Sequence, residues 1–325
     1  MNEVRNQEDR VREIKERYAA RLMQYPNVTG VGVGFKLVNG QQTNEVSVRV
    51  YVRRKLPESQ LRAAEILPRI LDGVTLDVVE GEFIFMQDGA PPLPFAQRVS
   101  RHFPFLTPGV SVGGLRVTAG TLGAAVYDGQ GGGQLLLSNW HVLCGSSDCA
   151  QGEEIVQPGV FDGGAAPKDT VAVLERFAHT DRVDAAVATV NGQRFLRDAI
   201  PGIGLVRSIG RATLGMRVRK SGRTTGVTRG VVDDVSADVN VEGLLFRDQI
   251  SVVREGEDVI VLGGDSGSLV VNEQNLAVGL LFAGRTDGSR WIANQIQDVV
   301  DALQIRFTPE PSPLHVAMML AAAEP

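Results

Sequence analysis

The sequence predicts a mainly β protein preceded by a small α+β unit, and three observations carry that reading. The chain carries 37 glycines, and over its larger, C-terminal part they separate short β-branched and apolar runs, the signature of many strands joined by turns. A helical apolar stripe and strand-like runs open the chain. Five of the 15 prolines (Pro91, Pro92, Pro94, Pro104 and Pro108) cluster between the two regions, a density that discourages regular structure.

Taken in order, Val4, Val11, Ile14, Tyr18 and Leu22 share one face of a helix whose other face is rich in Glu, Asp and Arg. Residues 30–38 and 46–52 read as strands, with Asn39-Gly40 as turn chemistry between them. Residues 57–71 suggest a second helix, bent near Pro68, and residues 74–85 return to strand-like alternation. This gives an N-terminal α+β domain over residues 1–87 and a Pro-rich linker over 88–107. From residue 108 to 307 the text is short strands, among them 120–126, 135–138, 170–174, 185–190, 226–232, 269–271 and 277–282. Ile296, Val299, Val300 and Leu303 then mark a closing helix. Residues 308–325 read as a loose tail.

Composition bounds the function. The chain has 325 residues, 43% hydrophobic and 22% charged, with a formal net charge of −5, which excludes wholesale disorder and gives no global attraction to nucleic acid. No apolar run reaches the ~18 residues of a membrane span, and the polar start lacks the apolar core of a signal peptide, so the expected location is cytoplasmic and no membrane partner is expected. Cys144 and Cys149 are the only cysteines; a reduced pair is expected in a reducing compartment, with a local loop-closing bridge as the alternative. His102, His141, His179 and His315 lack metal-ligand spacing, so neither metal nor cofactor is expected. Gly30-Val31-Gly32-Val33-Gly34 runs into a strand without dinucleotide spacing. The basic stretch Arg217, Arg219, Lys220 and Arg223 reads as a solvated strand face.

Three strings carry chemistry. Leu137-Ser138-Asn139-Trp140-His141 places a histidine just after an apolar strand. Asp184-Ala185-Ala186 opens another strand with an aspartate. Gly263-Gly264-Asp265-Ser266-Gly267 sets a serine in a glycine-rich turn. A serine hydroxyl needs an imidazole to take its proton, and the imidazole needs a buried carboxylate to fix its tautomer. Glycines beside the serine let backbone amides converge on a developing oxyanion. Each string alone has a plain reading: a core histidine, a strand-start aspartate, a tight turn. Together, in that order within one all-β region, they read as a catalytic triad of His141, Asp184 and Ser266.

On these motifs, with Ser221-Gly222-Arg223-Thr224-Thr225-Gly226 and Val278-Gly279-Leu280 in support, residues 108–304 resemble the chymotrypsin-like (trypsin-like) serine peptidases. Ile155-Val156-Gln157-Pro158-Gly159 and Asp162-Gly163-Gly164 are similar to bacterial members with an extra N-terminal domain, distantly similar to the plant narrow-leaf protease. The resemblance implies a chymotrypsin-like double β-barrel with the triad in the cleft. It also implies an oxyanion hole from the amides of Gly264 and Ser266, a pocket floor at Ile260, and a substrate-pairing strand over Leu281, Phe282, Ala283 and Gly284. An apolar floor would favour an apolar side chain before the scissile bond. No activating cleavage site is evident, so Asp265 is expected to find an internal donor.

The sequence reading is therefore a serine endopeptidase acting on a protein or peptide substrate. Its alternative is a catalytically latent, or self- or partner-specific, binding module on a protease fold. The N-terminal domain is the candidate regulatory or homo-oligomer contact. An α/β-type serine hydrolase is disfavoured: it needs Gly-x-Ser-x-Gly on a strand-to-helix elbow, with histidine last.

Overall fold

The computed structural model describes residues 2–38, 41–62, 65–81, 83–85, 96–131 and 133–309. It is mainly β, with the strands gathered into two large curled sheets. The expected Asn39-Gly40 turn, part of the linker (86–95) and the tail beyond residue 309 lie outside the described residues.

The first large sheet has eight strands, and its path runs Ile305–Arg306, Ala124–Asp128, Gln134–Ser138, Asp184–Val190, Thr170–His179, Glu154–Val156, Ser111–Gly114 and Gly120–Thr121. Leu136, Leu137, Val171, Leu174, Ala186 and Val187 are buried in its two interior clusters. Gln134–Ser138 and Asp184–Val190 are buried on both faces, and successive residues alternate between the two clusters, as the two-residue period of a strand requires.

The second sheet contains a closed ring. Arg217–Gly222 pairs with Leu269–Asn272, which leads through Ala277–Gly284, Arg290–Gln295 and Leu244–Val253 to Gly226–Val241, and that strand pairs back onto Arg217–Gly222. Closure pairs the strands on both sides within the ring, while Gly226–Val241 and Ala277–Gly284 also take further partners. The helix Ile296–Leu303 (here α3, after α1 and α2 below) buries Ile296, Val299 and Leu303, as the helical spacing predicts.

Residues 28–80 extend this second sheet. β1 (Val28–Val38) pairs with β2 (Gln41–Val52) on one side and with Gly226–Val241 on the other, placing Gly30 opposite Val239 and Gly34 opposite Asp234. β2 continues in parallel to Val74–Glu80. The helix α1 (Asn2–Leu22) lies over β1 and β2, burying Val11, Ile14 and Leu22. Each such side chain contributes about 2 kcal/mol when fully buried. Lys15, on the same helix, is also fully buried and donates to Asp238 at 2.6 Å.

Two sequence expectations change. In place of a second helix over 57–71, the described residues hold the 3-10 turn Glu58–Gln60, 3-10 conformation again at Glu65, and the strand Ile70–Leu71. Pro57 and Pro68 bracket too short a run for a stable helix, and Pro68 lacks the amide a helix interior would need. Cys144 and Cys149, expected to be reduced, are joined in a disulfide.

Candidate active site

His141 is delivered by the strand Gln134–Ser138. Ser138 lies opposite Ala186, after which Asn139 is extended and the chain turns into α2 (Trp140–Leu143). The Asn139 side chain donates from Nδ2 to the Asp184 carbonyl at 2.6 Å, tying the end of one strand to the start of the next. Asp184 then sits directly beneath the histidine. Its Oδ2 lies 2.6 Å from His141 Nδ1, and its Oδ1 accepts the His141 backbone amide at 3.2 Å. A carboxylate only accepts, so Nδ1 carries the proton, the tautomer in which Nε2 is the unprotonated ring nitrogen. Both side chains are buried. The Asp184 amide in turn donates to Asn294 Oδ1 at 3.0 Å, and Asn294 Nδ2 donates to Gln249 at 2.7 Å. The backbone of Asp184 is therefore tied to the second barrel, while its carboxylate holds His141.

Ser266 sits in the turn that precedes Leu269–Asn272. Gly264 and Gly267 on either side have φ of +90° and +93°, left-handed values that only glycine adopts without strain. The turn is pinned from the first barrel: Thr121 donates its amide to the Ser266 carbonyl at 2.8 Å and its hydroxyl to the Gly264 carbonyl at 2.8 Å. A Cβ at Gly120 would meet Val142 Cγ2 at 2.4 Å and the Ser266 carbonyl oxygen at 3.0 Å. The residue after His141 and the backbone of Ser266 thus close on one glycine. The Ser266 hydroxyl donates to the Phe282 carbonyl at 3.1 Å.

Asp265 has the internal donor that the sequence required, and it is Lys220. Lys220 Nζ lies 3.0 Å from Asp265 Oδ2, with both side chains fully buried. Oδ1 also accepts the amides of Thr224 and Thr225 at 3.0 Å each, and Oδ2 accepts the Thr225 hydroxyl at 2.7 Å and the Leu262 amide at 3.0 Å. The Ser221–Gly226 string wraps this carboxylate. Burial pulls the Lys220 pKa down, and the Asp265 charge opposes that pull. Reading this basic stretch as a solvated face is corrected for two of its residues. Lys220 is consumed by Asp265, and Arg223 is buried against Asp162 with its guanidinium 5.2 Å from the Phe161 ring centre. A lysine at an alternate strand position looks the same in sequence whether it points out or in.

The candidate substrate residues are placed as follows. Leu281, Phe282, Ala283 and Gly284 end the strand Ala277–Gly284, and all are buried. Ile84–Phe85 pairs antiparallel with that end, Ala283 opposite Phe85 and Gly284 opposite Ile84. Ile260 is buried within the second barrel's core, its amide donating to the Gly288 carbonyl at 2.8 Å. Asp258, two residues before it, is exposed. His179, which carried no signal in sequence, stacks on Trp140 with ring centres 3.8 Å apart, and burial lowers its pKa. Among the described residues no group of His, Cys, Asp and Glu is arranged to hold a metal ion.

Comparison with known proteins follows this geometry. No family model matches the chain. It is 28% identical over 309 residues to Protein NARROW LEAF 1 of Oryza sativa subsp. japonica, a match covering 80% of this chain and 52% of the plant protein. The chain thus spans about half the length of that relative. A solved glutamic acid specific serine protease superposes at a TM-score of 0.50 with 18% identity, covering 62% of this chain and 100% of its own. Thermobifida fusca Protease A covers 63% of this chain at 17% identity and a TM-score of 0.49. The fold is that of the chymotrypsin-like serine proteases, and the similarity to NARROW LEAF 1 is distant.

Proposed function

We propose that this chymotrypsin-fold chain is a serine endopeptidase. The observation that carries the reading is the buried His141–Asp184 pair at 2.6 Å, in a chain whose glycine-flanked serine turn is pinned to the same barrel. In this mechanism Ser266 Oγ attacks the peptide carbonyl while His141 Nε2 takes its proton. Asp184 stays ionised, holds the imidazole in the tautomer that leaves Nε2 basic, and stabilises the imidazolium. The amides of Gly264 and Ser266 stabilise the tetrahedral oxyanion. His141 then returns the proton to the leaving amine, and water hydrolyses the acyl-enzyme by the same steps in reverse. Leu281 to Gly284 pair with the extended substrate backbone, and the side chain before the scissile bond is apolar, with Ile260 at the pocket floor. Residues 1–87 take the regulatory or assembly role.

Fluorophosphonate labelling of wild type, Ser266→Ala and His141→Ala tests the reading. Labelling of wild type that disappears in both variants is the expected result. Folded wild type that resists the probe refutes it.

A further inference from the structure

The outer positions of the strand Ala277–Gly284 are already paired, and the partner is the chain itself. Ile84–Phe85 runs antiparallel beside Ala283 and Gly284, two of the four residues to which the proposed function assigns an extended substrate. The segment is firmly delivered on its N-terminal side. Phe83 is fully buried, packs edge-on against Tyr51 with ring centres 5.3 Å apart, and shares a cluster with Phe246, Phe282 and Ala283. The Gly81 amide donates to the Val52 carbonyl at 2.9 Å, and Arg285 donates to the Glu80 carbonyl at 2.8 Å. The sheet built on β2 therefore ends by laying its own chain along the candidate substrate edge.

We propose that Ile84–Phe85 is an in-cis competitor for that edge. The edge binds the backbone of an extended peptide, as Ile84–Phe85 does through its pairing with Ala283 and Gly284. The inference rests on the peptidase reading above and adds its regulation. Two residue pairs give few backbone hydrogen bonds, each of small net worth in water, so the segment is displaceable. Its advantage over a free peptide is that it is tethered, which gives an effective concentration on the order of millimolar. A peptide in trans must overcome that concentration to pair with Ala283 and Gly284. A segment that served only as a brace would hold the sheet together without competing for anything.

The test uses the full chain as wild type, Ile84→Pro and Phe83→Leu. Proline removes the Ile84 amide and disfavours the pairing; leucine loosens the anchor without emptying it. Three quantities are read: kcat/KM on fluorescein-labelled casein, the rate of fluorophosphonate labelling, and inhibition by a synthetic peptide with the sequence of residues 80–88. The small probe does not need the edge, so its rate stays within about twofold. Casein hydrolysis rises about tenfold in Ile84→Pro and less in Phe83→Leu, the scale set by the few hydrogen bonds removed. The peptide inhibits Ile84→Pro more strongly than wild type. If Ile84→Pro does not fold, Phe83→Leu and the peptide decide. Variants that label normally but cleave casein no faster, with no inhibition by the peptide, overturn the proposal and leave the peptidase reading standing. Failure of all three proteins to label removes the peptidase reading and this one with it.

Discussion

Lys220→Met breaks the ion pair made by Asp265, the residue before the proposed nucleophile. Lys220 and Asp265 are both fully buried and 3.0 Å apart. Removing one partner of such a pair costs about 3–5 kcal/mol, because the other charge is left in the interior. Asp265 keeps four other donors, from Thr224, Thr225 and Leu262, so the loss falls at the low end, about 3 kcal/mol. A domain stable by about 5–15 kcal/mol remains folded after that loss. Asp265→Asn costs more, since it leaves the Lys220 charge buried without its carboxylate and turns an NH2 toward the donors that one of the two oxygens had accepted. The double variant costs less than the sum of the two, and the shortfall measures the pair. Urea unfolding followed by tryptophan fluorescence reads these values. The chemical consequence is separable: a loosened Asp265 shifts the Gly264–Ser266 turn, and fluorophosphonate labelling of folded Lys220→Met slows about 10²- to 10³-fold, the scale of a misplaced oxyanion donor. A variant that loses under about 1 kcal/mol and labels at the wild-type rate would refute the reasoning. Its meaning would be that the four other donors hold Asp265 unaided.

Asp234 carries a pH dependence of known sign. Burial pushes its carboxyl from 3.8 up to about 6, against the nearby Arg49 charge. A raised carboxyl pKa contributes stability that is present below 3.8 and lost as pH rises through about 6. The shift corresponds to about 3 kcal/mol. Asp234→Asn, whose side-chain oxygen still accepts from the Val33 and Ser236 amides, flattens the urea-measured stability profile between pH 4 and 7; profiles that run parallel contradict the assignment. The Cys144–Cys149 bridge spans a separation of five residues, worth about 2 kcal/mol on the chain-entropy scale. Reductant and Cys149→Ala should therefore lower the urea midpoint equally, and a thiol titration of native protein that finds free cysteines would remove the bridge from consideration.

What was legible in the sequence was local. His141, Asp184 and Ser266 could be singled out as candidates because each lies in a short string whose neighbours do part of its work. Asn139 ties His141 to the Asp184 strand, and Gly264 and Gly267 supply the left-handed turn at Ser266. The closing helix was legible for the same reason, since a 3.6-residue stripe needs no distant partner. Lys220 could be named only as one of several basic residues, because its role depends on a carboxylate 45 positions away. The pairing of Ile84–Phe85 with Ala283 and Gly284 left no trace at all. Backbone pairing carries no side-chain signature, and nearly two hundred residues separate the partners.

The same limit explains how the N-terminal unit is attached. The strand Gly226–Val241 carries Asp233, Asp234 and Asp238, all buried, where an ordinary barrel strand would bury valine or leucine. Read alone, three acidic residues on one strand argue for an exposed edge. The structure resolves the conflict across the sheet. Asp233 is met by Arg49 at 2.6 Å and by Arg290 at 2.5 Å; Asp234 by the Tyr51 hydroxyl at 2.8 Å and the Val33 amide at 2.8 Å; Asp238 by Lys15 at 2.6 Å. Most of these donors come from α1, β1 and β2. Buried charge without its partner is among the costliest defects a fold can carry, so the strand that closes the second barrel depends on the unit ahead of it. That dependence also fixes the direction in which the chain leaves β2 and Val74–Glu80, past Gly81 and Phe83 and onto the edge at Ala283 and Gly284. The acidic strand and the occupied edge are two consequences of one attachment.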